Sequence, residues 1–496
     1  MQRRMQASSL RVLPRLLLAI ILLGLGARVL FMVVGVAAYY HSPDLFCLNG
    51  DSSSYTQSFE NLWRVGRYTF DLQVPEASFG RLPGYPFFYG VHRLVFGAAL
   101  APVATAWSQL LLDTAAIWLV FGILSRMAPA VRWAPYLGAF LYATYPFVMV
   151  WVPVIGTESL STDLTLLWFY LLLGWRPTLA YSLGTGVLVA ANLFVREYMG
   201  SLLPITLLWV VVKAMPQGWP LAWRHAALVA AGFGVLYIGW PVRNYVLAHR
   251  LMLLKPQAAG YINQTPDVDE FYKWVHCWDA NENPWLDSVL IGQGPVHFPE
   301  SACSTPAEAA QAQTLVLLAR HCGSGFYAVR GSQPADSVYR RYRTDNCNAA
   351  ISTGFQQLRQ QFAAEHPWRY WFDVPVQNLR KAFFKSRLVP PQALYPHAPP
   401  RSAGLLGLIF GYRTALLLLG WVGLFASLRR YPALWLVLAV SGFQYVYICF
   451  FYRGLEMRYL LQADALLILP AALWLGRGLA QVRNWRPGAL ASSTAN

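Results

Sequence analysis

The chain has 496 residues, 56% of them hydrophobic and only 12% charged, with a mean hydropathy of +0.37. Soluble domains carry about 25% charged residues, so this composition excludes an ordinary soluble enzyme and fits a polytopic membrane protein, with Trp 20, Tyr 27 and Phe 27 available for interfacial belts. The net charge of +16 rests on 34 Arg and 5 Lys placed beside apolar runs, with no basic stripe, which argues against nucleic acid and for anionic headgroups or phosphate.

Arg3, Arg4, Arg11 and Arg15 precede an apolar run from Leu16 to Tyr40. That run is too long for a signal-peptide core and reads as a signal anchor with a cytoplasmic N-terminus. Runs of spanning length fall near 16–38, 94–124, 133–153, 158–174, 178–195, 199–213, 226–247, 403–426, 432–451 and 459–476. They predict an all-α bundle of about ten transmembrane helices. With the N-terminus inside, the inside loops hold Arg126 and Arg132, Arg176, Lys213 and Arg224, Arg429 and Arg430, and Arg477, Arg483 and Arg486. Each is basic, so count and orientation support each other, and both termini fall in the cytoplasm.

Three parts follow: a seven-span module over 1–247, an extracytoplasmic segment of mixed structure over 248–402, and three spans with a tail over 403–496. Within the first external loop, 39–90, the stretch Ser52–Val65 spaces Tyr55, Phe59, Leu62 and Trp63 among polar residues, as an amphipathic helix in the headgroup plane would. Cys277, Cys303, Cys322 and Cys347 all lie in the external segment. Without any CxxC spacing they suggest two disulfides, with three pairings open and a metal site as the alternative. Cys47 is external and free, and Cys449 lies within a span, where it packs.

The charged residues at the outer ends of the spans carry the chemistry. Asp51, in Asn49-Gly50-Asp51-Ser52-Ser53-Ser54-Tyr55, reads either as a helix N-cap or as a general base. Arg81, before Pro83-Gly84-Tyr85-Pro86, is either a snorkelling anchor or a phosphate clamp. Glu158 opens a span, where the helix dipole favours an acid, and could equally bind an acceptor or a divalent ion. Arg196-Glu197-Tyr198 and Trp240-Pro241-Val242-Arg243-Asn244-Tyr245 end spans on the same side, and Glu456-Met457-Arg458-Tyr459 lies between the last two. Six charged groups on one membrane face point to function, because polar groups near membrane depth are costly. No P-loop, GxGxxG, HExxH or GxSxG occurs, so no nucleotide domain is in view.

These motifs, in this order, resemble the GT-C superfamily of polyprenyl-phosphate-sugar glycosyltransferases, in the branch of protein O-mannosyltransferases and the lipid A aminoarabinose transferase. The likeness covers the first 250 residues and about 405–475. The resemblance implies an inverting transfer from a polyprenyl-phosphate sugar, outside a bacterial inner membrane, to a glycan, lipid or protein acceptor. It implies Asp51 as base, Arg81, Arg243, Arg196 and Arg458 around the donor phosphate, and an apolar groove for the isoprenoid. Glu158, Glu197, Tyr55 and Tyr85 are candidates for acceptor or metal. No cofactor is required beyond an optional divalent metal, and Gly80 stands where the aminoarabinose transferase carries an acid. A surface-polysaccharide ligase or polymerase, a lipid-linked-sugar flippase and a structural membrane protein are the rival readings.

Overall fold

The computed structural model describes residues 2–49, 51–72, 75–255, 266–279, 283–291, 294–322, 347–384 and 403–484. Among these residues all regular structure is helical, apart from one isolated parallel bridge between Cys47 and Val154. The first helix, α1 (Gln2–Leu30), runs on as a π-helix, Phe31–Tyr40. After it come α2 (Ser52–Val65), α3 (Gly84–Met127), α4 (Ala134–Ala143), the single turn α5 (Pro146–Met149), α6 (Thr157–Leu173) and α7 (Leu179–Val195). A 3-10 turn, Glu197–Ser201, leads into α8 (Leu202–Ala214), followed by α9 (Trp219–Tyr237) and α10 (Gly239–Ala248).

Six stretches are long and apolar enough to cross a membrane: Pro14–Tyr40, Gly84–Met127, Glu197–Gln217, Ile409–Ser427, Leu434–Tyr452 and Met457–Gln481. The pair α9 and α10, bent by 42°, makes a seventh. The other three expected runs fall on shorter helices. Pro146 interrupts the run at 133–153 after Thr144, and α6 and α7 have 17 residues each. The run expected at 94–124 begins ten residues earlier, at Gly84, and kinks at Gly97, whose φ of +78° is left-handed.

The last three helices are α16 (Ala403–Ser427), α17 (Leu434–Val446) and α18 (Leu461–Asn484). The apolar stretch of α18 is 83% buried, against 22% for Pro14–Tyr40, so α18 threads the middle of the bundle and α1 lies at its rim. Two buried ion pairs tie distant helices together. Arg28 Nε donates to Asp113, which also accepts from Tyr142. Arg413 Nε lies 2.8 Å from Asp464, whose oxygens accept from Tyr145 and Tyr445 at 3.0 and 2.8 Å. Such charges are tolerated inside a bundle because partners satisfy them.

A second core stands apart from the bundle. It is built by α11 (Pro266–Val275), α12 (Asn283–Ile291), α13 (Pro306–Cys322) and α14 (Cys347–Glu365). Phe271, Trp274, Val316, Ile351 and Phe355 are fully buried there. The expectation of two disulfides is corrected to one, Cys322–Cys347, which joins the end of α13 to the start of α14. Cys277 and Cys303 are free. Cys277 faces this core and its thiol donates to Lys273 O in its own segment, 3.3 Å away. Cys47 and Cys449 are also free and buried. A π-turn, Arg369–Asp373, and α15 (Val374–Phe384) lead from this core back to the bundle.

Candidate functional site

Asp51 stands at the N-cap of α2 but does not cap it. Asn49 does that work: its Oδ1 accepts from the backbone N–H groups of Asp51 and Ser52, each at 3.0 Å, and from the Ser52 hydroxyl. With the helix end satisfied by a neighbour, the Asp51 carboxylate is free to turn elsewhere. Its Oδ1 meets Arg81 Nη2 and its Oδ2 meets Arg458 Nη1, both at 2.6 Å.

Each arginine is itself held. Arg81 Nε donates to Ser54 Oγ at 2.7 Å and Nη1 to the Tyr55 hydroxyl at 3.1 Å, with the guanidinium 4.2 Å from the Tyr55 ring centre. Arg458 also pairs with Glu456 and lies 3.6 Å from Glu158 Oε1. That same Glu158 oxygen accepts from Arg196 Nη2 at 3.1 Å, and Arg196 Nη1 donates to Arg458 O. Asp51, Glu158 and Glu456 thus alternate with Arg81, Arg196 and Arg458 in one cluster. Charge-assisted pairs of this kind are the strong ones.

Local folding explains why these groups converge. Cys47 N–H donates to Pro153 O and Ile155 N–H to Cys47 O, at 2.9 and 3.0 Å, so the first loop is laced to the loop before Glu158. Gln109 Nε2 holds that second loop by Val152 O and Val154 O, and the Tyr85 hydroxyl donates to Gln109 Oε1 at 2.8 Å. Gly84 lets the start of α3 lie against the end of α7: a Cβ there would stand 2.6 Å from Phe194 C and 2.7 Å from Val195 N. That contact brings Arg81 toward Arg196.

The Asp51 side chain keeps 30% of its surface exposed. Burial alone would raise its pKa, but Arg458 and Arg81 outweigh burial and hold the carboxyl well below the usual carboxylate range. In this arrangement Asp51 is ionised and a weak base.

Not every sequence candidate joins the cluster. Arg243 donates to Asn244 Oδ1 and Tyr68 O and lies against the rings of Trp240 and Tyr68. It is linked to the cluster through Tyr68, whose hydroxyl donates to Arg81 O. Among the described residues Arg243 has no carboxylate partner. Glu197 pairs with Lys255 at 2.7 Å and stays outside. Tyr85 is fully buried, donates to Gln109 and packs its ring against Tyr55 at 5.2 Å between centres.

Two members were given no role from sequence: Ser54, one turn after Asp51, and Glu456, named only in the motif two residues before Arg458. Spacing was the available signal for both. Among the described residues, no group of three or more His, Cys, Asp or Glu is gathered as metal ligands would be. The carboxylates that do gather are taken up by guanidiniums, so they do not fit a divalent ion as they stand.

Beside Arg196 an apolar cavity of about 570 Å³ opens between α7, α8 and α17. Leu193, Pro204, Ile205, Leu254, Ala439 and Phe443 are among its lining residues, and Glu197 and Tyr198 also border it.

No family model matches the chain, and no curated protein matches it. Among solved structures, it is similar to the oligosaccharyltransferase of Archaeoglobus fulgidus tethered with an acceptor peptide containing the NVT sequon, at 11% identity and a TM-score of 0.46. That alignment covers 97% of this chain and 52% of the other. The same enzyme in complex with Zn and sulfate gives 11% identity and a TM-score of 0.40, over 94% of this chain and 50% of that one. ArnT from Cupriavidus metallidurans bound to undecaprenyl phosphate gives 15% identity and a TM-score of 0.32, over 93% and 79%. The chain spans about half the length of the oligosaccharyltransferase that it matches.

Proposed function

We propose that this integral membrane protein transfers a sugar from a polyprenyl-phosphate donor to an acceptor hydroxyl on the extracytoplasmic side, with inversion at the anomeric carbon. The observation that carries the reading is the Asp51 carboxylate clamped between Arg81 and Arg458 at 2.6 Å each, with Arg196 one pair further on. The order of motifs, which resembles polyprenyl-phosphate-sugar transferases, supports the same reading.

A donor phosphate carries negative charge and planar guanidiniums bind it well. When it enters, Arg81 and Arg458 exchange part of their pairing with Asp51 for pairing with phosphate. Arg243, which has no carboxylate partner among the described residues, adds one further positive charge. Relieved of its cations, Asp51 becomes a stronger base. The acceptor oxygen then attacks the anomeric carbon while its proton passes to Asp51. The bond from that carbon to the phosphate oxygen breaks, and the leaving polyprenyl phosphate takes the electron pair. The arginines stabilise the charge that develops on it. The isoprenoid chain lies in the apolar cavity bordered by Tyr198, two residues along the chain from Arg196. No step requires a metal.

The test is transfer of labelled sugar from a panel of polyprenyl-phosphate sugars to membrane acceptors, using purified protein in nanodiscs. Asp51→Asn keeps shape but removes the base, and the expected loss is about 10²–10⁴-fold. Near-normal transfer by a well-folded variant overturns the role of Asp51. Failure of the unsubstituted protein to use any such donor, while still binding undecaprenyl phosphate, overturns the transfer itself.

A further inference from the structure

The segment Trp368–Phe384, which follows α14, has one face that the described residues leave bare. Trp368, Trp371, Phe372 and Val376 recur at spacings of three, one and four residues, and Phe384 extends the row. Their exposures are 66%, 52%, 50%, 51% and 55%. Five large apolar groups on one helical stripe are far more than scattered surface hydrophobics.

The opposite face is firmly docked. Val374, Pro375, Asn378 and Ala382 are buried. Asn378 Nδ2 donates to Cys449 O and Arg453 O at the end of the stretch Leu434–Tyr452. Arg453 Nη2 reaches Tyr370 O at 2.7 Å, with its guanidinium 3.8 Å from the Tyr370 ring centre. At the other end, Arg413 Nη1 donates to Ala382 O at 2.6 Å and Thr414 Oγ1 to Phe383 O at 2.7 Å. Arg413 and Thr414 sit in the first turns of the spanning stretch Ile409–Ser427. The stripe therefore begins near the end of one span and finishes beside the start of another.

We propose that Trp368–Phe384 is an interfacial anchor whose bare stripe beds in the headgroup region of the lipid leaflet. Trp and Tyr favour that depth because their rings are apolar and their N–H and O–H groups polar. The charges of the segment, Arg369, Arg380 and Lys381 against Asp373, are net positive, which suits anionic lipid phosphates. Lys381 is engaged with Asp279 at 3.6 Å, whereas Arg380 is exposed beside the stripe. By this contact the leaflet fixes the height of the outer core above the bundle. The inference does not depend on the proposed sugar transfer.

The experiment places a nitroxide at Phe372→Cys and, separately, at Val376→Cys. The full-length chain is held in nanodiscs of phosphatidylethanolamine and phosphatidylglycerol. Unsubstituted protein controls for labelling of the native thiols, and Gln360→Cys, exposed on α14, is the aqueous reference. Power saturation with oxygen and with a water-soluble nickel chelate reads the surroundings. Both stripe labels are expected to meet oxygen several-fold more than nickel, with the order reversed at residue 360. Nickel access at both stripe positions overturns the proposal. Exclusion of both reagents together with dipolar broadening also overturns it, since that outcome assigns the face to a second copy of the chain.

Discussion

Asp51 illustrates what a sequence can and cannot say about one carboxylate. Its place before Ser-Ser-Ser fits an N-cap as well as a base, because a carboxylate oxygen can accept from helix N–H groups as readily as it can take a proton. Asn49 takes the capping role by accepting from the exposed N–H groups, and nothing in residue type foretold which of the two side chains would do so. Glu197, a candidate for acceptor or metal, pairs with Lys255, 58 residues later, a partner that no local spacing announces. The pairing of Asp51 has a consequence for pH. Its folded pKa lies below the unfolded value of about 4, so the stability it contributes is full above that value and is lost as pH falls through the folded one. Free enzyme is thus expected to show no acid limb from Asp51 between about pH 5 and 8 in kcat/KM. Arg458→Gln removes one of its two cations, so an acid limb should move upward toward pH 4 and activity should fall by about 10²–10³-fold. A pH–rate profile measured on both proteins checks this.

At the scale of elements, α2 was fully legible, from Ser52 to Val65, since its apolar residues repeat with helical period. The start of α3 was not. His92 and Arg93 interrupt the apolar run, yet both are satisfied within the fold: His92 pairs with Phe88 O and Ser108 Oγ, and Arg93 Nε donates to Glu60 at 2.6 Å. Hydropathy counts such residues as breaks although their charge and polarity are already matched. The approach of α3 to α7 is equally invisible in sequence, being a property of two backbones. Gly84→Ala would force those backbones apart, so a loss of roughly 1–3 kcal/mol is expected. It should appear as a lower melting temperature in detergent and as weaker transfer, because Arg81 and Arg196 are held on the two sides of that contact.

For the whole molecule, composition and run length were enough to announce a helical membrane bundle. The two ion pairs inside it were not foreseen, because Arg28, Asp113, Arg413 and Asp464 stand alone in sequence and meet only after helices pack. Asp464→Ala would leave Arg413 buried without its carboxylate, at a cost of roughly 3–5 kcal/mol, measurable as early thermal unfolding in nanodiscs. The second core lies in the segment that carries four of the cysteines, whose pairing was not legible, since pairing depends on which helix ends meet. Burial pushes the Cys277 thiol up to about 12 and the Cys303 thiol up to about 11. Both should resist maleimide near pH 7 in the folded protein and react fast after denaturation, while non-reducing peptide mapping returns Cys322 joined to Cys347.

The clamp on Asp51 joins residues 407 positions apart. On a ribosome adding about 5–20 residues per second, roughly 20–80 s separate the emergence of the two partners. Arg81, only 30 positions along, arrives first, so the nascent carboxylate has a temporary companion long before its final one. Assembly of the clamp is therefore a late event in biogenesis. A ribosome that stalls within the last two spans would leave in the membrane a chain with most of its helices and an incomplete clamp.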